Sequence, residues 1–172
     1  LDDHEIATFV RSLLPAATET TSRTFGSLMV LLLENPSTLE RVRADRSLVP
    51  RAVDEAIRFE PVATFKVRQA ATDLELGGVQ IPKGAMVQCI VTSANRDEDV
   101  FENGESFNID RQVKPSFGFG FGPHTCVGQY IAKTELQVAL NAVLDLMPNI
   151  RLDPNESPPG IVGAQLRGPY SV

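Results

Sequence analysis

The sequence has few cysteines, an excess of acidic over basic residues and no long apolar run, and each of these features excludes a class of protein. Its two cysteines, Cys89 and Cys126, are too few for the disulfide framework of a small secreted domain, so we expect a reducing compartment. The longest apolar stretch, from Leu28 to Leu33, is far shorter than the ~20 residues that span a bilayer. A net charge of -6 argues against a general nucleic-acid binder, and the opening LDDHEI lacks the features of a signal peptide.

The sequence does contain enough apolar material for one packed domain, or for part of one. Hydrophobic residues make up 42% of the 172 residues and charged residues 22%. Apolar residues at helical spacing predict a long helix from about His4 to Glu34, capped by Asp2 or Asp3 and buried toward its end. Pro15 predicts a kink in this helix, and the polar patch AATETT at 16–21 interrupts its apolar character.

Further elements are predicted along the chain, and together they indicate an α+β class that is mainly helical. The predicted helices are Thr38 to about Ala44 with Ser37 as its cap, Val49 to Phe59, a helical turn near Ile90 to Asn95, and Cys126 to about Leu146. Alternating apolar and polar residues over 64–89 predict a small antiparallel sheet, with turns at Gly77-Gly78 and at 82–84. Residues 96–116 are expected to be irregular, and the tail at 148–172 to hold short strand-like pieces.

The stretch FGFGFGPHTCVGQ, residues 117–129, is the most unusual in the sequence. So many glycines are unfavourable in a helix or strand, which predicts a loop with aromatic walls. Cys126 at its end should lie near a helix N-terminus, where the partial positive charge favours a thiolate that can act as a nucleophile or as a metal ligand.

Three kinds of chemistry are open to this thiolate. A zinc site needs about four ligands, and besides acidic residues only Cys89, His4 and His124 are available, with no CxxC spacing. A Cys–His nucleophile would need His124, which is too close in sequence to meet the sulfur properly and leaves the phenylalanines unexplained. A single axial thiolate on a heme iron needs one cysteine, a dry aromatic wall and a backbone that can approach a flat macrocycle, and it fits better.

The loop matches a long family pattern, Phe-x-x-Gly-x-x-x-Cys-x-Gly, at Phe119, Gly122, Cys126 and Gly128. It therefore resembles the heme-binding loop of the cytochrome P450 family. The resemblance implies that Cys126 ligates the iron of heme b through its thiolate and that Gly120 also belongs to the cofactor-binding loop.

A second motif lies in DEAIRFEP. Glu55 and Arg58 are three residues apart on one predicted helix face, where a charge pair can form, and they resemble the Glu-x-x-Arg of the family's K helix. In the family this pair is joined by an arginine, for which Arg111 in FNIDR is the matching candidate. The resemblance implies a structural network that holds the heme loop in place.

Two further residues resemble family positions that contact the heme propionates, which are anions that need charge-assisted donors. These are Arg68 in FKVRQAA and His124, two residues before the cysteine. Without the resemblance, Arg68 would be interpreted as a solvent-facing strand residue, since it alternates with Lys66.

The polar patch in the first helix resembles the oxygen-activation motif of the family's I helix. Glu19 and Thr20 match its acid and its alcohol, which implies a catalytic role in relaying protons. The structural alternative is that Thr20 bonds back to a carbonyl one turn earlier. The sequence departs from the family pattern at Ala17, where glycine is usual.

The resemblance covers essentially the whole chain, 1–172, as the C-terminal part of a P450 domain from the I helix onward, with the N-terminal half absent. It implies a heme-thiolate monooxygenase, or its heme-ligating portion, that inserts one oxygen atom from O2 into a small organic substrate with electrons from a ferredoxin or another electron-transfer partner. The alternatives are a heme-binding module without activity of its own and a fragment that never holds heme, and a fragment should self-associate through exposed apolar surface. No membrane or nucleic-acid partner is expected, and SANRD at 93–97 and ELGGVQIPKG at 75–84 resemble soluble bacterial members, which favours the cytoplasm.

Overall fold

The computed structural model describes residues 1–112, 114–157 and 159–169, in which three helices are followed by four short strands, two further helices and two short strands. The helices are α1 (Asp3–Glu34), α2 (Pro36–Ala44), α3 (Val49–Phe59), α4 (Val91–Ala94) and α5 (Gln129–Leu146), with 3-10 turns at Arg46–Leu48 and Gly122–His124. The strands are β1 (Phe65–Gln69), β2 (Leu74–Leu76), β3 (Val79–Ile81), β4 (Met86–Ile90), β5 (Ile161–Val162) and β6 (Gly168–Pro169). The mainly helical α+β class is confirmed.

Helix α1 begins at a capping box. The Asp2 carboxylate accepts a hydrogen bond from the Glu5 amide at 2.8 Å, and the Glu5 carboxylate accepts one from the Asp2 amide at 2.8 Å. Of the two predicted caps, Asp2 is therefore the one used, and Asp3 is the first helical residue. The helix continues through Pro15, and only its C-terminal part is buried.

The core forms where the C-terminal part of α1 meets α3 and α5. Apolar residues from these three helices are buried together with residues of α2, and the central ones are Leu28, Leu32, Val42, Val53, Ile57, Leu136, Leu140 and Leu144. The predicted bounds of α3 are confirmed, because its apolar residues recur at helical spacing up to Pro61. This packing sets the positions of the segments that precede and follow α3 and α5.

The strands form separate two-stranded antiparallel ladders, so the expectation of one small sheet over 64–89 is wrong. β1 pairs with β4, with Phe65 opposite Ile90, while β2 and β3 form their own hairpin around the predicted turn at Gly77-Gly78. The strands are short and largely exposed, so no shared buried face joins the two ladders.

Three further expectations concern the start of α2, the irregular segment at 96–116 and the tail. Ser37 does not cap α2, because the helix begins one residue earlier at Pro36, whose ring suits a first helical position. The described part of 96–116 is irregular as predicted, and Val113 lies outside the described residues. In the tail, β5 pairs with β6, whereas residues 158 and 170–172 lie outside the described residues.

Candidate functional site

Glu55 and Arg58 form a buried ion pair on α3. The Arg58 Nη2 atom lies 2.7 Å from Glu55 Oε1, and Nε lies 2.8 Å from Oε2. Only 4% of the Arg58 side chain and 6% of the Glu55 side chain are exposed. Arg111 Nε lies 3.2 Å from the same Oε1 atom, so the structure brings together the three residues predicted to form a network.

Every N–H group of the Arg58 guanidinium has an acceptor. Besides Glu55, Arg58 donates to the carbonyl oxygens of Asn95 at 2.7 Å, Gly104 at 2.9 Å and Ser106 at 3.0 Å. A buried charge is tolerated when its polar atoms are satisfied in this way. The network therefore fastens the irregular segment after α4 onto α3.

Asn95 connects this network to the glycine-rich loop, and sequence reasoning assigned it no role. Its side chain is fully buried, donates to the Arg58 carbonyl at 3.1 Å and accepts a hydrogen bond from the Phe117 amide at 2.7 Å. The available signal was its place within SANRD. An asparagine in an irregular segment is more often exposed, so residue type alone did not single it out.

The loop that carries Cys126 is closed by its own backbone. The Cys126 amide donates to the Phe119 carbonyl at 2.9 Å, and the Gly120 amide donates to the Phe117 carbonyl at 2.9 Å. Gly120 and Gly122 have φ values of 77° and 70°, in the left-handed region that side chains disfavour. Glycine at these two positions allows the chain to double back and bring Cys126 beside Phe119.

The thiol of Cys126 is exposed, and so are apolar side chains of the same loop. Phe121 is 77% exposed and Val127 is 87% exposed. Helix α5 begins at Gln129, so the prediction of a helix from Cys126 is wrong: Gly128 is the N-cap, its carbonyl accepts a hydrogen bond from the Ala132 amide at 2.9 Å, and the cysteine lies just before the helix. One accessible thiol on a closed loop with apolar neighbours is a donor set that suits a heme iron with a single axial thiolate.

Gly118 holds the start of the loop against α3. A Cβ atom at this position would collide with Ile57 Cγ2 and lie 2.9 Å from the Ile57 carbonyl oxygen. Gly118 lies outside the matched family pattern, and sequence reasoning did not select it. Its role follows from close packing that a sequence does not display.

Glu19 and Thr20 lie on α1 just before its buried part. The Glu19 carboxylate pairs with Arg23 at 2.9 Å, and the Thr20 hydroxyl donates to the Ala16 carbonyl at 2.7 Å. Thr20 therefore makes the back-bond that was the structural alternative, one turn earlier in the helix. Ala17 is exposed on the same stretch of α1.

Arg68 and His124 are both exposed. The Arg68 guanidinium donates to the Val67 carbonyl at 2.9 Å, on its own strand β1. Among the described residues, no hydrogen bond or ion pair joins Arg68 to His124. The structure thus unites Glu55, Arg58 and Arg111 but leaves Arg68 and His124 as separate, accessible donors.

Comparison with known proteins assigns the family. The family model for cytochrome P450 matches residues 1–159, so this chain belongs to the cytochrome P450 family. The family that the loop and helix motifs predicted is thereby confirmed.

Bacterial proteins are among the chain's relatives. It is 39% identical to pulcherriminic acid synthase of Bacillus subtilis (strain 168), over 100% of this chain and 45% of that protein. It is 41% identical to cytochrome P450-SU2 of Streptomyces griseolus, over 88% of this chain and 38% of that protein. The chain resembles the crystal structure of HmtN, a post-tailoring hydroxylase of himastatin biosynthesis, with a TM-score of 0.93 and 35% identity, over 99% of this chain and 46% of HmtN.

The chain therefore spans less than half the length of each of these proteins. Its fold is a portion of the P450 fold of bacterial type. In the part of the chain that the structure describes, none of the helices combines the length and the apolar character needed to cross a membrane.

Proposed function

We propose that this chain is the heme-ligating, C-terminal portion of a heme-thiolate monooxygenase and that Cys126 is the axial ligand of heme b. The observation that carries the proposal is the exposed Cys126 thiol at the end of a closed loop, in a chain of the P450 family. When bound, heme supplies the activation of O2 for insertion of one oxygen atom into a substrate.

The chain's own residues have distinct parts in this proposal. Phe119, Gly120, Gly122 and Gly128 shape the loop that presents the Cys126 sulfur. Arg68 and His124 are accessible donors that can pair with the two propionate anions, which charge-assisted hydrogen bonds stabilise in an apolar pocket. The network of Glu55, Arg58 and Arg111 holds the start of the loop through Asn95, which bonds to the backbone of both Arg58 and Phe117.

Glu19 and Thr20 are proposed to deliver protons. Thr20 Oγ1 donates to the Ala16 carbonyl, and its lone pairs remain available to accept a hydrogen bond. To pass a proton onward, the hydroxyl turns away from Ala16 and releases its own hydrogen while a neighbouring donor replaces it. The Arg23 guanidinium orients the Glu19 carboxylate at 2.9 Å. A carboxylate followed by a hydroxyl forms a short donor chain that can hold and pass a proton within a dry pocket.

The partners in this proposal are a small organic substrate and a ferredoxin or another electron-transfer protein, and the proposed location is the cytoplasm. Oxygen insertion as the reaction is supported by HmtN, which is described as a hydroxylase and whose fold this chain matches with a TM-score of 0.93. No nucleic acid or membrane is part of the proposal.

A second candidate function is heme binding without oxygen insertion by these 172 residues alone. The observation that favours it is the exposure of the first half of α1, where Phe9 is 60% exposed and Leu14 is 64% exposed. These apolar side chains are not covered by the described residues, and Glu19 and Thr20 follow them on the same helix. The exposed apolar side chains also predict self-association, which sedimentation at several protein concentrations would detect.

The test is the absorption spectrum of the purified chain after heme addition, in the reduced state under carbon monoxide. We expect the red-shifted Soret band of thiolate ligation, its loss in Cys126→Ala and its retention in Cys89→Ser. Cys89 is a matched control because it is the other free, exposed cysteine. A thiolate spectrum in Cys126→Ala would overturn the ligand assignment, and a histidine-type or free-heme spectrum in the parent would favour a fragment that does not hold heme. Substrate turnover then separates the monooxygenase from the heme-binding module.

A further inference from the structure

Lys133, on α5, contacts both α3 and the loop that carries Cys126. Its Nζ atom lies 2.8 Å from Oδ1 of Asp54 on α3 and 5.9 Å from the centre of the Phe119 ring. Lys133 and Asp54 lie outside the family patterns that identified the site. Lys133 thus connects α5, on which it lies, and α3, through Asp54, to the Phe119 ring of the loop.

The contact between Lys133 and Asp54 is one of charge. Oδ1 of Asp54 is shielded from solvent and lies 2.8 Å from the Lys133 ammonium. The ammonium has three N–H groups, so its pairing with Asp54 leaves others that can face a second partner. The Phe119 ring is that partner, because an ammonium within ~6 Å of a ring centre is attracted to its face.

Phe119 connects Lys133 to Cys126, because its ring faces the Lys133 ammonium and its backbone bonds to the cysteine. Its carbonyl accepts the hydrogen bond from the Cys126 amide at 2.9 Å, and its ring packs against the hydrophobic core. On its N-terminal side the loop is fastened by Gly118 against Ile57, whereas residues 121–127 are exposed. Phe119 is therefore the last residue of the loop that packs against the core before the exposed residues 121–127.

We propose that Lys133 is a positioning residue for the Cys126 thiolate. Its ammonium orients the Phe119 ring, and this orientation maintains the hydrogen bond from the Cys126 amide to the Phe119 carbonyl. The ammonium also places a positive charge beside the loop that carries Cys126. Asp54 holds the ammonium in this place. The effect on Cys126 as an iron ligand rests on the proposed function, whereas the effect on the loop's hydrogen bond does not.

The first arm of the test measures amide hydrogen exchange at Cys126 in the full 172-residue chain without heme. Lys133→Met keeps the apolar stem of the side chain and removes its charge. A cation–π contact at a partly exposed site contributes about 0.5–1 kcal/mol, so its loss should make exchange of the Cys126 amide about two- to fivefold faster. Lys133→Arg should restore the parent rate, because a guanidinium also stacks on aromatic rings. Lys83→Met, on the exposed turn before β4, is the control and should leave the rate unchanged.

A double-mutant cycle assigns the effect to the ring. In a Phe119→Leu background, Lys133→Met should no longer change the exchange rate at Cys126, because the group through which Lys133 acts is gone. An unchanged Cys126 rate in Lys133→Met would overturn the proposal. So would an equal acceleration at core amides such as that of Leu140, since this would show general destabilisation.

The second arm uses the heme-loaded chain and separates this inference from the proposed function. Removing the positive charge beside the Phe119 ring of this loop should lower the reduction potential of the heme in Lys133→Met, and Lys133→Arg should restore it. A parent with thiolate ligation whose potential is the same in Lys133→Met would overturn the electrostatic part of the inference alone. Loss of thiolate ligation in the parent would sink the proposed function, while the exchange result at Cys126 would still decide whether Lys133 positions the loop.

Discussion

The Glu55–Arg58 network and the loop that carries Cys126 are joined through Asn95, yet they differ in how far the chain itself covers them. In the network, two charged side chains are almost completely buried and every guanidinium N–H has an acceptor. In the loop, residues 121–127 are exposed although the backbone is closed by hydrogen bonds. The described residues of this chain therefore bury the network almost completely but leave the Cys126 thiol accessible to solvent.

This difference separates two kinds of consequence. Substitutions in the covered network should change the stability of the fold, because its polar atoms have no access to water once a partner is lost. Substitutions in the open loop should change cofactor chemistry with smaller effects on folding. The free energy of unfolding should therefore fall most for changes in the network and least for changes at exposed residues.

The largest effect is expected for Arg58→Met. The change leaves the Glu55 carboxylate buried with reduced compensation and removes the donor from three backbone carbonyls, so we expect a loss of about 3–5 kcal/mol in the free energy of unfolding. Urea denaturation measures it. Arg41→Met, which removes an exposed ion pair with Asp110, is the control and should lose much less. Similar losses for both variants would remove the distinction between covered and open pairs.

A smaller loss is expected for Gly118→Ala, at the boundary between the two regions. The added methyl group meets the Ile57 backbone carbonyl at 2.9 Å, which cannot turn away as a side chain can, so we expect a loss of about 1–3 kcal/mol. Gly160→Ala serves as the control, because its nearest atom would lie 3.8 Å away, at Val162. Equal stability of the two variants would show that the loop start moves freely off α3.

Thr20→Ala should hardly change stability and should change chemistry. Within the described residues its hydroxyl bonds only to the helix backbone at Ala16, and alanine is the better helix former, so the free energy of unfolding should stay within about 0.7 kcal/mol of the parent value. Under the proposed function, O2 consumption by the Thr20→Ala variant of a complete, heme-loaded protein should become uncoupled from product while heme binding persists. Thr18→Ala is a close control, since Thr18 makes the same back-bond to Leu14 at 2.9 Å. Full coupling in Thr20→Ala would exclude Thr20 from the proton relay.

The sequence was most informative where one local pattern determines the structure. The bounds of α3 follow from apolar spacing and a terminal proline, and the start of α1 follows from Asp2 and Glu5. The family followed from the Cys126 loop pattern, which the match over residues 1–159 confirmed. The roles of Glu19, Thr20, Arg68 and His124 stay predictions.

The features that were not predicted depend on contacts between distant segments. Asn95, Gly118 and Lys133 act through partners that lie far from them in sequence, on α3 or in the loop. The start of α5 was misplaced because Gly128, rather than a residue at or before Cys126, is the N-cap, and its carbonyl accepts a hydrogen bond from the Ala132 amide. Apolar spacing predicts that a helix forms but does not mark which carbonyl at its start accepts the first helical hydrogen bond.

The smallest expected effect concerns the ion pair of Arg41 and Asp110, which lies on the surface between α2 and the segment that carries Arg111. Both side chains are about half exposed, at 49% and 51%, and two hydrogen bonds of 2.7 and 2.8 Å join them. The hydrogen bond from Arg41 lowers the pKa of Asp110 below its ordinary value. In the unfolded chain the pKa of an aspartate is about 3.9.

Because the pKa of Asp110 is lower in the folded state, the pair's contribution to stability is present above the unfolded value and is lost as the pH falls through the folded one. The stability difference between the parent and Arg41→Met should therefore be constant near neutral pH and shrink below about pH 4. Urea denaturation at a series of pH values measures it, with Arg151→Met as the control for the loss of one surface charge. A difference that is as large at low pH as at neutral pH would show that Arg41 stabilises the fold by packing its stem and not through its ion pair with Asp110, whereas the covered network acts through paired charges.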